Sequence, residues 1–238
     1  MIRLQKQAQE IGIVLTDEQI NQFQIYYDML IETNKVMNLT AITELKEVIS
    51  KHFIDSLLLI KAYPDIAQLK LKVLDLGTGA GFPGIPLKIA FPSLQITLMD
   101  SLNKRVKFLQ SVINELELCD IEAVHGRAEE AARNAVYREQ FDLCVSRAVA
   151  NLATLSEYTL PFVKIGGMCI PYKAAGVEEE VDTAKKAIQV LGGKLTTVKK
   201  VALPETEIER SFILIDKVKK TPKTYPRKPG TASKEPIH

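Results

Sequence analysis

The 238-residue chain has few of the residues that would point to metal or disulfide chemistry. Its three cysteines, Cys119, Cys144 and Cys169, have neither the spacing of a metal site nor an even, paired framework. The three histidines are not at ligand spacing, and His238 belongs to the C-terminal tail. We therefore expect no metal centre. Because Cys144 and Cys169 lie in apolar runs, they are predicted to be buried thiols in a reducing cytoplasm.

Long apolar runs and a strong charge of one sign are also missing. No run approaches the roughly 18 residues of a membrane-spanning helix, and no signal-peptide pattern is present. The formal net charge is +2, so contact with nucleic acid would have to come from local clusters of basic residues. With 46% hydrophobic and 25% charged residues, the composition is that of an ordinary globular protein with a substantial core. A cytoplasmic protein without membrane association is expected.

Residues 73–81 (VLDLGTGAG) contain an apolar run, an aspartate and three glycines at alternate positions. The run predicts a buried parallel strand. The glycines allow a sharp turn and the close approach of a ligand to the backbone. Pro83 and Pro86 suit the first turn of a following helix. A strand, a glycine loop and a helix start together predict a nucleotide-type site.

The spacing within this loop separates two classes of nucleotide. A dinucleotide-binding loop has its third glycine where this chain has Phe82. Here Asp75 precedes the first glycine by two residues, and its carboxylate could hold a cationic or amino-bearing group. S-adenosylmethionine carries an ammonium and a sulfonium but no pyrophosphate. Asp100 ends the next apolar run, where an acidic side chain commonly accepts hydrogen bonds from ribose. The pattern looks like motif I of the class I methyltransferases; a plain glycine turn and an NAD-type oxidoreductase remain as alternatives.

The rest of the chain alternates short apolar runs with helical stretches. From residue 71 this predicts an α/β fold, a mostly parallel twisted sheet with helices on both faces. The runs fall at 71–76, 94–99, 121–124, 141–146 and 166–172, and helical stretches begin near Pro83, Asn103, Ala128, Asn151 and Val177. Two further strand-like runs, at residues 194–202 and 210–218, have no helical stretch between them. They are therefore predicted to form an antiparallel pair of strands at one edge of the sheet.

Three parts are predicted within a single compact unit. Residues 1–63 form an N-terminal helical cap, residues 64–218 the S-adenosylmethionine-binding core, and residues 219–238 a basic flexible tail. Within the cap, Thr16 and Gln19 have the form of a capping box, and a second helix is predicted over residues 44–62. The tail is either a solvated, poorly ordered segment or an arm that follows a phosphate backbone.

Six stretches together carry a resemblance to a known family. They are 34–40 (NKVMNLT), 52–56 (HFIDS), 75–86 (DLGTGAGFPGIP), 125–129 (HGRAE), 146–148 (SRA) and 225–230 (YPRKPG). Over nearly its whole length the chain resembles the bacterial 16S rRNA guanine-N7 methyltransferases, also called glucose-inhibited division protein B. The resemblance implies a class I methyltransferase fold, S-adenosylmethionine as donor and guanine 527 in a hairpin loop of 16S rRNA as acceptor. One local departure is Lys173, where a glycine is expected closer to the lysine than Gly176.

The expected cofactor contacts follow the ends of the strands. Gly77, Thr78 and Gly79 would contact the methionine half of the cofactor through the backbone. Phe82 either packs on the apolar face of the cofactor or is a core phenylalanine. Glu129 either meets the adenine or is a solvated first-turn carboxylate. The full predicted set is Asp75, Gly77, Thr78, Gly79, Phe82, Asp100, Ser101, Ala128, Glu129 and Arg147.

The candidates for catalysis and substrate contact are Arg147, His52, Asn38, Lys173 and Arg127. Arg147 ends the fourth predicted strand, where it would face the cofactor and the guanine O6, or else form a structural ion pair. His52 shares one helix face with Asp55 and Ser56, so it either fixes the cap to the sheet or takes part in catalysis. Asn38 is either a helix cap or a substrate contact.

The reaction that the resemblance implies needs few catalytic side chains. Guanine N7 has an in-plane lone pair and needs no deprotonation, so alignment of the reacting atoms dominates, and a polar pocket would stabilise the charge left on the ring.

RNA contacts are expected from Lys35, Lys104, Arg105, Lys107, Arg127, Lys173 and the tail. Removal of residues 217–238 is expected to weaken rRNA methylation and leave cofactor binding nearly intact. The expected partner is 16S rRNA or the small ribosomal subunit, with a monomeric enzyme; a non-catalytic RNA-binding or assembly factor is a further alternative.

Overall fold

A computed structural model describes residues 1–147 and 149–237. Ala148, in the SRA stretch, and His238, in the tail, lie outside the described residues. The described chain forms a seven-stranded sheet with the order β3-β2-β1-β4-β5-β7-β6. The strands are β1 (Lys72–Leu76), β2 (Gln95–Asp100), β3 (Ile121–His125), β4 (Phe141–Arg147), β5 (Val163–Ala174), β6 (Gly193–Ala202) and β7 (Glu209–Lys217).

The pairing confirms the predicted mostly parallel sheet. Strand β1 pairs in parallel with β2 and β4, β2 with β3, and β4 with β5. Strand β7 is antiparallel to both β5 and β6, so it lies inside the sheet while β6 forms the edge. The order of the strands reverses between β1 and β4. In open α/β sheets a ligand crevice forms beside the carboxyl ends of the strands at such a reversal.

The helices, in chain order, include a segment that the sequence did not predict. They are α1 (Ile2–Glu10), α2 (Asp17–Met37), α3 (Leu45–Val48), α4 (Asp55–Leu57), α5 (Leu59–Ala62), α6 (Gly84–Ala90), α7 (Asn103–Glu115), α8 (Ala128–Ala131), α9 (Leu152–Thr159), α10 (Glu178–Val190) and α11 (Thr231–Lys234). The capping box of Thr16 and Gln19 is present at the start of α2. The predicted helix over residues 44–62 is helical but irregular, because Ile49–Ile54 form a π-helical turn. Such turns are frequent at functional sites.

Two apolar cores lie on opposite faces of the sheet, which confirms helices on both sides. Successive residues of a strand point to opposite faces, so Val73 packs with α1, α2, α6 and α7, whereas Leu74 packs with α9 and α10. The N-terminal helices share the first core with the sheet. Hydrogen bonds add to this contact: Tyr26 donates to the Ala80 carbonyl (2.6 Å) and Gln19 to the Ile89 carbonyl (2.7 Å). Among the described helices, none is long and apolar enough to cross a membrane.

The predicted flexible tail is instead packed against the core. Arg138 donates to the carbonyls of Thr221 (2.9 Å) and Tyr225 (3.0 Å), and Ala232 is buried. Lys217, two residues before this segment, is buried at the end of β7 and donates to three oxygens. Burial lowers the pKa of Lys217 to about 8. Composition could not reveal this packing, because the partners of these groups lie far away in the sequence.

Candidate cofactor cavity and adjacent cleft

A cavity of about 310 Å³ lies at the carboxyl ends of β1, β2 and β3, beside the reversal of strand order. We refer to it as the first cavity. Five predicted cofactor residues and Arg127 line it together with residues that the sequence did not single out. The lining consists of Leu76, Gly77, Met99, Asp100, Ser101, Gly126, Arg127, Ala128, Glu129, Val149 and Tyr158.

The glycine loop forms one wall of this cavity. The Gly77 N–H donates to the Met99 carbonyl at 2.8 Å, and the Gly79 N–H donates to Asp100 Oδ2 at 2.9 Å. Gly77 has a φ of +70°, and a Cβ there would lie 2.6 Å from Val149 Cγ2. A side chain at this position would therefore be both conformationally unfavourable and in contact with the opposite wall.

Asp75 holds the glycine loop to the helix that follows it. The side chain is fully buried, and its Oδ2 accepts from Thr78 Oγ1 at 2.6 Å and from the Gly84 N–H at 2.8 Å. Burial raises the pKa of Asp75 to about 6, against the opposing effect of these two hydrogen bonds. Asp75 and Thr78 therefore shape the loop from behind, which differs from the expected direct contact with the cofactor. Among the described residues, Asp75 Oδ1 is buried without a hydrogen-bond partner.

Gly84 offers a test of this loop anchor. An alanine Cβ would lie 2.2 Å from Leu98 Cδ2 and 2.8 Å from Asp75 Oδ2. We expect Gly84→Ala to lower the free energy of unfolding by about 1–3 kcal/mol through overpacking. Urea denaturation measures the change. Gly126→Ala is the matched control, because its Cβ would make only ordinary contacts at 3.7 and 3.9 Å. Equal stability of the two variants would contradict the tight packing of α6 on Asp75.

Two carboxylates at neighbouring strand ends face the first cavity. Asp100 accepts from the Leu102 N–H through Oδ1 and from the Gly79 N–H through Oδ2, both at 2.9 Å. Glu129 is 8% exposed, and its Oε1 accepts from the Gly230 N–H at 3.1 Å. These carboxylates can accept hydrogen bonds from the hydroxyl and amino groups of a ligand. Tyr158, on α9, was missed because an aromatic residue on an amphipathic helix carries no motif.

A second cavity, of about 440 Å³, brings together three of the predicted catalytic residues. It is lined by Ile42, Lys51, His52, Arg147, Tyr172, Lys173, Ala174, Ile208 and Arg210. Arg147 ends β4, and Val149, two positions later, lines the first cavity. Two residues of chain span at most about 7 Å. The two cavities are therefore neighbours, with Val149 lining the first and Arg147 lining the second.

Arg147 links the end of β4 to the helical cap. Its Nη1 donates to Asp55 Oδ2 at 2.7 Å and to the Lys51 carbonyl at 3.1 Å. Asp55 has no exposed surface and also accepts from Arg210 Nε at 2.5 Å. The structural ion pair considered for Arg147 is thus present. The guanidinium also lies over the Phe82 ring, with Cζ 5.1 Å from the ring centroid, at a distance where a cation–π attraction operates.

His52 is held in one tautomer by its two neighbours. Its Nδ1 lies 3.1 Å from Arg147 Nη2, and its Nε2 lies 2.8 Å from Thr40 Oγ1. A guanidinium only donates, so Nδ1 accepts and the proton is on Nε2, which donates to Thr40. Burial, followed by the charge of Arg147, lowers the pKa of His52 to about 3. His52 is therefore neutral, and both of its ring nitrogens have partners.

Phe82 belongs to an aromatic cluster beneath the cap. Its ring stacks on His52, with centroids 4.5 Å apart and planes 16° apart, and contacts Tyr26 at 5.5 Å. It is 5% exposed and is not among the described residues that line the first cavity. These contacts correspond to the core-phenylalanine interpretation.

The low pKa of His52 has a measurable consequence for stability. Between pH about 6.5 and 3, the unfolded chain binds a proton at His52 that the folded chain does not, so this contribution to stability falls as the pH falls. We expect the wild type to lose about 2 kcal/mol more than His52→Gln between pH 7 and pH 5. Asp75, whose raised pKa acts in the opposite direction, is common to both proteins. Urea denaturation at the two pH values measures the difference. Equal losses of stability in the wild type and in His52→Gln would show that the pKa of His52 is not lowered in the folded protein.

Of the remaining predicted residues, Lys173 lines the second cavity and Asn38 is not among the described residues that line either cavity. Asn38 is exposed and caps the C-terminal end of α2 with a φ of +51°. The loop after it is held by Asn34, which exchanges two 2.9 Å hydrogen bonds with the Thr40 backbone. Lys173 donates to the Ala150 carbonyl at 2.5 Å and to Glu180 Oε1 at 2.6 Å. The part played by Asn34 was missed, although it lies within the NKVMNLT stretch.

Comparison with known proteins agrees with this geometry. The chain is 58% identical to the ribosomal RNA small subunit methyltransferase G of Lachnoclostridium phytofermentans, over 95% of this chain and 93% of the relative. It is 52% identical to the protein of the same name from Alkaliphilus metalliredigens, over 97% of this chain and 95% of the relative. A crystal structure of a SAM-dependent methyltransferase from Aquifex aeolicus superposes with a TM-score of 0.52 at 16% identity, over 71% of this chain and 92% of that one.

The predicted class I S-adenosylmethionine-dependent methyltransferase fold is confirmed by this structural likeness and by the sheet topology. A profile of the family described as GidB, rRNA small subunit methyltransferase G, matches residues 19–212. With this match and relatives above half identity over nearly its whole length, the chain belongs to the GidB family of methyltransferases.

Proposed function

We propose that this protein transfers a methyl group from S-adenosylmethionine to N7 of a guanine in 16S rRNA, at guanine 527 by the resemblance described above. The observation that carries the proposal is the juxtaposition of the two cavities. A cavity walled by the glycine loop and two carboxylates is lined by Val149, and a cleft that presents basic side chains is lined by Arg147, two positions earlier in the chain. The curated relatives are named as ribosomal RNA small subunit methyltransferases, which supports the choice of acceptor.

The residues of the first cavity fit S-adenosylmethionine. Asp100 and Glu129 supply acceptors for the ribose hydroxyls and the adenine amino group, at the strand ends where such contacts are usual. The loop at Gly77 leaves no room for a Cβ and brings the backbone to the edge of the cavity. The buried, unpartnered Asp75 Oδ1 adds negative charge behind the loop that favours a cationic donor. When bound, S-adenosylmethionine supplies a methyl group already activated on a sulfonium.

The second cavity would receive the guanine. Arg147 is a natural donor to guanine O6, and Asp55 fixes its guanidinium through a 2.7 Å ion pair. That carboxylate also offsets the positive charge of Arg147, which reduces its repulsion of the charge that develops on the guanine ring. His52 is neutral and adds no further positive charge.

The reaction then depends on alignment rather than on proton transfer. Guanine N7 attacks through its own lone pair and needs no general base, which is consistent with a His52 whose two ring nitrogens both have partners. Arg147, His52 and Phe82 form one packed unit. Because a rigid frame that holds N7, the methyl carbon and sulfur in line supplies a large share of the rate, we assign Arg147 to substrate contact and His52 to the positioning of Arg147.

Transfer of tritium from methyl-labelled S-adenosylmethionine to small-subunit rRNA tests the proposal. Incorporation that yields 7-methylguanine on digestion is expected. Retained RNA binding without incorporation would support a non-catalytic assembly factor, and thermal stabilisation by NADH rather than S-adenosylmethionine would support an oxidoreductase.

A further inference from the structure

The C-terminal segment, residues 219–237, reaches the wall of the first cavity. The Gly230 N–H donates to Glu129 Oε1 at 3.1 Å. Glu129 and Tyr158 both line the first cavity. The segment therefore touches Glu129, which would contact the adenosine part of the donor, and it is anchored on the helix that carries Tyr158.

An ion pair holds this segment in place. Arg227 donates through Nε to both carboxylate oxygens of Glu157 at 3.1 Å and through Nη2 to Oε2 at 2.7 Å, while its backbone N–H reaches Oε1 at 2.7 Å. Glu157 is 1% exposed, so this is a charge-assisted, forked pair sheltered from water. Thr154 adds a 2.9 Å bond to the Ala232 carbonyl. Both anchors lie on α9, the helix that carries Tyr158.

We propose that residues 219–237 are a strap that completes the S-adenosylmethionine site, with Arg227 as its positioning residue. The hydrogen bond from the Gly230 N–H to Glu129 Oε1 fixes the orientation of that carboxylate and leaves Oε2 free to accept a hydrogen bond from the ligand. Without the strap, Glu129 at the start of the four-residue helix α8 would turn toward solvent. The inference rests on the proposed cofactor site, and it reverses the expectation that the tail affects only RNA binding.

By linkage, a strap that favours cofactor binding must itself be stabilised by the cofactor. In the wild-type protein, S-adenosylhomocysteine is therefore expected to slow tryptic cleavage after Lys223, which is exposed and precedes the Arg227 anchor. This measurement needs no variant and no activity.

Isothermal titration of Arg227→Ala with S-adenosylhomocysteine tests the positioning role. We expect about tenfold weaker binding, and partial recovery in Arg227→Lys, which keeps the charge but loses the fork. Lys185→Ala is the control, because it removes an exposed charge that lies outside the strap and lines neither cavity, so it should leave cofactor affinity unchanged. If Arg227→Ala does not fold, protection of the wild-type protein from tryptic cleavage by S-adenosylhomocysteine tests the strap instead.

The outcomes separate the strap from the proposed function. Wild-type affinity in a folded Arg227→Ala, or no ligand protection at Lys223, would overturn the strap and leave the methyltransferase proposal standing. No binding of S-adenosylhomocysteine to the wild type would instead remove the cofactor site on which both depend.

Discussion

Replacing Asp55 with alanine is expected to lower the free energy of unfolding by about 3 kcal/mol, because it leaves two partly buried cations without their shared, fully buried partner. Asp55 has no exposed surface, and its two oxygens bind Arg147 and Arg210. These arginines come from β4 and β7, so the carboxylate joins both strands to the cap. Chemical denaturation measures the loss.

Glu47→Gln is the control for Asp55→Ala. Glu47 pairs with Lys51 one turn away, but both side chains are partly exposed to solvent. Removing such an exposed i,i+4 pair should cost less than about 1 kcal/mol. If Asp55→Ala changed stability as little as Glu47→Gln, the ion-pair network would not be what holds the cap to the sheet.

Arg147→Lys is expected to slow methyl transfer by about 10²–10³-fold, the usual effect of removing one oriented donor from an active site. Lysine keeps the charge but cannot donate to Asp55 and His52 at the same time. Cofactor affinity should change little, since Arg147 is not among the described residues lining the first cavity. Single-turnover rates with labelled S-adenosylmethionine, together with calorimetric affinities, separate the two effects.

Arg210→Lys serves as the matched variant, because it perturbs the same carboxylate from the other side. A structural effect alone would slow both variants to a similar extent. A markedly larger loss of methyl-transfer rate in Arg147→Lys would support direct contact of Arg147 with the guanine. Equal losses of rate in the two variants would indicate that Arg147 acts only as a structural partner of Asp55.

Local patterns predicted much of the fold. The buried strand at residues 73–76, the capping box at Thr16 and the glycine loop all depend on neighbours within a few residues. Their physical causes, side-chain period and backbone conformation, can be read directly from the sequence. The antiparallel pair β6–β7 was predicted for the same reason, because no helix separates its strands.

The features that escaped prediction join residues far apart in the chain. Asp55 meets its arginines 92 and 155 positions away, and Glu129 meets Gly230 across 101 positions. Packing decides these contacts, and no local pattern encodes them. The same holds for Tyr158, and for Phe82, whose stacking on His52 depends on a π-helical turn that residue periodicity does not indicate.

The most direct test compares 16S rRNA from cells with and without this protein. Borohydride reduction followed by aniline cleaves RNA at 7-methylguanosine, and primer extension locates the break. We expect cleavage at guanine 527 that disappears when the protein is absent and returns with the wild-type chain but not with Arg147→Lys. Unchanged cleavage at that guanine in cells lacking the protein, or loss of a methyl group from another atom or base, would contradict it.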